Sequence, residues 1–99
     1  RARRIPAWLE KLCRDVAASE PRFAPVTGFE LPIGGSDISA FLARGWDGVC
    51  LACVDPDIGA PRHYHMPTDT PENLDIEQVL FSIDFAERLV DAIVEARLR

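Results

Sequence analysis

Residues 64–71, Tyr64-His65-Met66-Pro67-Thr68-Asp69-Thr70-Pro71, place a phenol, an imidazole and a carboxylate in one proline-braced loop. A neutral imidazole suits a borderline-soft ion such as Zn²⁺, and a stiff loop holds its ring in one orientation. His65 is therefore a candidate metal ligand, although a surface-loop histidine bonded to backbone would read the same way. His63 lies just before this run and reads as a residue at its rim. Tyr64 either presents its hydroxyl outward or packs its ring beneath the loop. Asp69 and Thr70 can bond to loop amides or steady a ligand from behind. Upstream, Gly34-Gly35-Ser36-Asp37 precedes a short apolar run, where Ser36 or Asp37 can cap a helix.

The three cysteines are an odd count, which argues against a disulfide scaffold. Cys50-Leu51-Ala52-Cys53 matches C-x-x-C in form, but it lies in the apolar run Val49 to Val54. On a strand, residues three apart point to opposite faces and stand about 10 Å apart. That geometry excludes a disulfide or a shared metal and leaves two buried, apolar-like thiols.

The elements that must hold these groups follow from periodicity. Trp8, Leu9, Leu12, Cys13 and Val16 recur every 3–4 residues, predicting an amphipathic helix from Pro6 to about Ser19 that Glu20-Pro21 ends. Phe23 to Leu31 is a weaker strand candidate, confined to an edge by Pro25 and Gly28. A short helix to about Arg44 stops at Gly45. Gly48 to Val54 reads as a buried strand, and Asp55 to Leu74 as a long loop. Asp75 and Gln78 then form a capping box for a helix to about Leu98, whose buried stripe is Ile76, Val79, Leu80, Ile83, Ala86, Val90, Ile93 and Val94. Helices alternating with strands indicate an α/β fold with helices packed on a partial sheet. Two strands are too few for three helices to cover, which points to a missing partner segment. The twenty-residue loop leaves the carboxyl end of a strand, where open α/β sheets bind ligands.

Ninety-nine residues, 47% hydrophobic and 27% charged, suit one small globular domain. No apolar run is long enough to cross a bilayer, and no membrane partner is expected. Eleven basic against sixteen acidic residues give a net charge of −5. Nucleic acid is therefore not expected as a partner, and Arg1-Ala2-Arg3-Arg4 reads as a solvated tail.

Two segments, Gly34-Gly35-Ser36-Asp37-Ile38-Ser39-Ala40-Phe41 and Tyr64-His65-Met66-Pro67-Thr68-Asp69-Thr70, resemble the closing motifs of the M28 family of zinc-dependent exopeptidases. In those aminopeptidase-type di-zinc hydrolases a Gly-Ser-Asp-x-x-x-Phe segment precedes a strand, and a Tyr-His-Thr-Pro-x-Asp-Thr loop supplies the last metal ligand. The resemblance covers roughly residues 34–93. It implies that residues 1–99 form a single partial domain, the C-terminal portion of a three-layer α/β/α peptidase domain. By the same resemblance, His65 would hold one of two zinc ions, and Tyr64 would donate a hydrogen bond to the tetrahedral intermediate. Ser36 and Asp37 would border the pocket for the peptide substrate, with Asp69 and Thr70 supporting the ligand.

The chain also departs from that pattern. Ile38 stands where many members have His or Tyr, and Gly45-Trp46-Asp47 replaces the commoner Gly-Ile-Pro. The family's upstream His-x-Asp and Glu-Glu pairs do not occur here. Most zinc ligands and the general base would then come from a remaining N-terminal part of the domain, and a start at Arg1 without methionine suits such a fragment. By itself the chain is expected to bind zinc weakly and to hydrolyse nothing. The implied function is N-terminal peptide-bond hydrolysis by metal-activated water. One alternative is a non-catalytic domain of this kind retained for protein binding. The other is a glutaminyl cyclase-like enzyme, which typically has Trp before the histidine, so Tyr64 favours the peptidase.

Overall fold

A computed structural model describes residues 5–28 and 37–97. Helix α1 spans Ala7–Ser19, α2 spans Ile38–Ala43 and α3 spans Ile76–Arg97, with 3-10 turns at Pro21–Phe23 and Pro71–Asn73. Pro6 stands just before α1, and its carbonyl accepts from the Leu9 and Glu10 amides at 3.1 and 3.0 Å. Pro21 forces the residue before it out of the helical region. Glu20 is accordingly extended at φ −143°, ψ 137°, and α1 ends there.

The core forms where α1 crosses α3 over the 21–23 turn. Val16, Phe23, Phe85 and Leu89 are buried together, flanked by Cys13, Ala17, Val26, Val49, Phe81, Ala92 and Ile93. Phe23 is fully enclosed and meets Phe81 and Phe85 edge-on, with centroids 5.8 and 5.2 Å away. Edge-to-face contact brings a ring's positive rim against its neighbour's negative face, which adds to the burial itself. Around this core Glu20 binds Arg88 Nη1 at 2.7 Å, and Arg22 pairs with both Glu20 and Asp84. Both Arg22 and Arg88 tie the 20–22 corner to the middle of α3.

The expected α/β architecture is overturned. No sheet exists among the described residues, so neither the partial sheet nor the α/β/α layering is present. Among the described residues the regular structure is helical, the rest being turns and irregular backbone with one isolated antiparallel bridge, Asp55 to Ala60. Phe23, read as a strand start, closes a 3-10 turn instead, because local Ala24→Pro21 and Val26→Phe23 bonds take up the backbone; residues 29–31 of that candidate lie outside the described residues. Residues 48–54 run without ladder partners, and a strand needs a neighbour for its amides and carbonyls. Only Val49 reaches the core, leaving Cys50 and Cys53 exposed rather than buried as expected.

Asp75 caps α3 as predicted, its carboxylate accepting from the Gln78 amide at 3.2 Å. Most of the expected buried stripe is turned away from the core, although Ile93 packs against it and Ala86 is partly buried. Phe85 and Leu89 are buried, whereas Ile76, Val79, Leu80, Ile83, Val90 and Val94 are exposed. The helix has apolar side chains on two sides, and α1 with Phe23 covers the one carrying the aromatic rings.

Gly45 ends α2 as predicted. The Trp46 amide reaches back to the Phe41 carbonyl at 3.0 Å and the Gly45 amide to Leu42 at 3.1 Å, with Gly45 left-handed at φ 88°. This paired closure needs a residue that tolerates positive φ. Gly45→Ala should therefore cost about 1 kcal/mol, read as a lower urea midpoint at unchanged slope.

Candidate functional site

The loop between Asp55 and α3 is a chain of consecutive turns. Asp55 opens it: its amide meets the Ala60 carbonyl at 2.9 Å, and its carbonyl accepts from Gly59 at 2.9 Å. Its carboxylate accepts from the Asp57 amide at 2.9 Å and from Arg62 Nε at 3.2 Å. The amide bond first, and then Arg62, hold this carboxyl below the usual aspartate range.

The next two turns overlap. Tyr64 N–H bonds to Pro61 at 3.2 Å and Met66 N–H to His63 at 2.9 Å. Each turn therefore carries a histidine at its third position, and both are left-handed, His63 at φ 65° and His65 at φ 58°. Glycine normally fills such positions, and histidine is among the few side chains enriched there. Sparsely populated backbone held by surrounding structure concentrates at functional sites. Between the two histidines, the Tyr64 ring lies nearly flat on that of His65, with centroids 3.8 Å apart and planes 21° from parallel. Tyr64 is half exposed, and His65 is exposed beside it.

A network behind the pair keeps the loop closed. His63 Nδ1 lies 2.7 Å from Thr68 Oγ1, and Asn73 Nδ2 donates to the Thr68 carbonyl at 2.7 Å. Asn73 also reaches Thr70 Oγ1 at 3.4 Å. Glu72 is held below the usual glutamate range by its own backbone amide first and the Thr70 hydroxyl second. Thr70 thus takes part in bracing the loop. Asp69 is exposed, and its amide bonds to Met66 at 3.0 Å.

The remaining bracing falls to His63, Thr68 and Asn73, which the motif did not single out. The available signal was the Pro71-Glu72-Asn73 turn, since asparagine side chains commonly bond back to nearby backbone.

Asp37 lies at the start of α2. It adopts φ −56°, ψ −31°, with its carbonyl accepting from Ala40 at 3.3 Å and no side-chain cap bond, so the expected carboxylate cap does not form. Ser36, the other expected pocket residue, lies outside the described residues. Downstream of α2, Asp47 accepts from Trp8 Nε1 at 3.2 Å, and the Arg97 guanidinium sits 4.4 Å over the Trp8 ring. Ile38 packs over Gly48, where a Cβ would collide with it.

The thiols give no second site. Burial pushes the Cys13 thiol up, which disfavours its thiolate. Cys53 Sγ lies 3.1 Å from Ser82 Oγ, whose own proton goes to the Gln78 carbonyl at 2.8 Å.

Among the described residues no three His, Cys, Asp or Glu side chains converge to hold a metal ion. A zinc site needs three or four protein ligands. These residues alone therefore do not fit one, and His65 offers a single imidazole. No described helix is long and apolar enough to cross a membrane. No family model matches the chain, and no curated protein or solved structure matches it.

Proposed function

We propose that this chain supplies one wall of a zinc-dependent aminopeptidase site, with the peptide substrate bound between this wall and residues of a further, N-terminal part of the domain. The observation that carries the reading is the Tyr64–His65 pair, stacked and solvent-facing on a left-handed, multiply braced loop. It presents an imidazole and a phenol at fixed mutual orientation, as a ligand and a neighbouring hydrogen-bond donor require. The uncovered residues 50–53 support a missing neighbour, since an extended apolar segment gains stability from strands beside it. Two zinc ions, held mostly by ligands outside this chain, would supply a metal-activated water.

In such a site His65 would be one metal ligand and Tyr64 a hydrogen-bond donor towards the substrate, while His63, Thr68, Thr70 and Asn73 keep the loop in shape.

Asparagine tolerates left-handed backbone, so His63→Asn and His65→Asn separate the imidazoles from the turn geometry. In the complete protein, His65→Asn should lower zinc per chain and weaken metal affinity by more than the ~10–100-fold typical of losing a ligand's supporting partner. His63→Asn should stay within that range. Metal content by atomic emission and aminoacyl-anilide turnover measure both. Equal behaviour of the two variants would remove His65 from the metal.

A further inference from the structure

Helix α3 has more apolar surface than this structure covers. Phe81, Phe85, Leu89 and Ala92 face the core, while Ile76, Val79, Leu80, Ile83, Val90 and Val94 are 39–60% exposed. These six recur along a strip that runs about 27 Å at 1.5 Å per residue. A helix apolar on two sides ordinarily buries both, and contiguous patches of several hundred Å² mark interaction surfaces.

Charge decides what fits. Glu87 and Asp91 stand in the same shallow groove as Ile83, Ala86 and Val90. Glu77, Asp84 and Asp91 are spaced seven apart and so line one edge of the helix. Asp84 is paired with Arg22, and the other ion pair on α3 joins Arg88 to Glu20. Glu77, Glu87 and Asp91 form no ion pair among the described residues.

A second copy of the chain is the wrong occupant. Antiparallel two-fold packing on this face sets each edge of the helix against the same edge of the copy, so the acidic edge of Glu77 and Asp91 faces itself. In-register parallel packing sets Glu87, which falls within the apolar strip, beside its counterpart, and like charges across an interface are repulsive. An anionic lipid surface is repelled by the same residues.

We infer that this face of α3 docks an amphipathic helix of a partner protein, with apolar anchors at i, i+3 or i+4 and i+7 flanked by lysine or arginine. Such a helix lays its apolar stripe along Ile76 to Val94 and its cations against Glu77, Glu87 and Asp91. The surface is separate from the Tyr64–His65 loop, and the inference does not rest on the peptidase reading.

Two synthetic helical peptides with the same leucine stripe, one flanked by lysine and one by glutamate, test it by calorimetric titration of the complete protein. The lysine peptide should bind at least ~10-fold more tightly, with affinity falling as salt rises. Val90→Asp should abolish binding, and the double variant Glu87→Lys, Asp91→Lys should reverse the preference, with helical circular dichroism unchanged because all three positions are exposed. Equal affinity for both peptides, or binding of neither, overturns the proposal. So does a dimer by light scattering that Val90→Asp dissociates. Peptidase turnover does not enter this measurement, so either reading can fail alone.

Discussion

Phe23→Ala should destabilise the protein by about 3–5 kcal/mol, the usual range for emptying a buried phenylalanine site. Among the described residues Phe23 is the one side chain with no exposed surface, and it touches both aromatic rings of α3 while sitting under α1. Its loss removes the transfer energy of the ring, two edge-to-face contacts and the material that separates the helices. Few side chains are fully buried here, so neighbours have little with which to refill the space. Domains of this size have ~5–15 kcal/mol of stability in total, and a large share would go with this one residue. Urea denaturation followed by tryptophan fluorescence measures the change. Phe23→Leu should retain much of the packing and lose less. A cost below ~1 kcal/mol for the alanine variant would mean that α1 and α3 are held together elsewhere.

Tyr64→Phe in the complete protein should lower kcat by about 10²–10³, or ~3–4 kcal/mol, if the phenol bonds only the tetrahedral state. The ring and its stack on His65 remain, so folding and zinc content should hardly move. Since the lost bond exists in the transition state alone, kcat and kcat/KM should fall together. A higher KM at unchanged kcat would assign the hydroxyl to ordinary substrate binding. No kinetic change would leave Tyr64 as the surface on which the imidazole rests. Tyr64 is half exposed, which in the proposed site would leave its hydroxyl open to a bound peptide.

Local features were legible in the residues because their causes are local. Pro6 and Pro21 bound α1 through the fixed φ and missing donor of proline. Gly45 ended α2 because only a residue free of Cβ crowding enters left-handed space cheaply, and Asp75 capped α3 through a bond three residues long. The four-proline loop folds as consecutive hydrogen-bonded turns. Its bracing through His63, Thr68 and Asn73 was less legible, since several nearby polar side chains could have closed the same turns.

The face of α3 that enters the core was not decided by its own periodicity, because apolar residues occupy two of its sides. Phe23 made that choice: an edge-on triad with Phe81 and Phe85 satisfies three rings at once, and the ion pairs of Arg22 and Arg88 lock the same orientation. The strand expected at 48–54 failed for a related reason. β-propensity describes side chains suited to a pleated surface, but the strand itself exists only when another chain segment meets its hydrogen bonds. The sequence by itself therefore determined where the helices start and stop, that a proline- and histidine-bearing loop precedes α3, and the net acidic charge. Tertiary structure alone decided which helix face is buried and that residues 48–54 stay unpaired. Those outcomes depend on contacts between residues distant in the chain, and no local pattern specifies which of several apolar surfaces will find each other first.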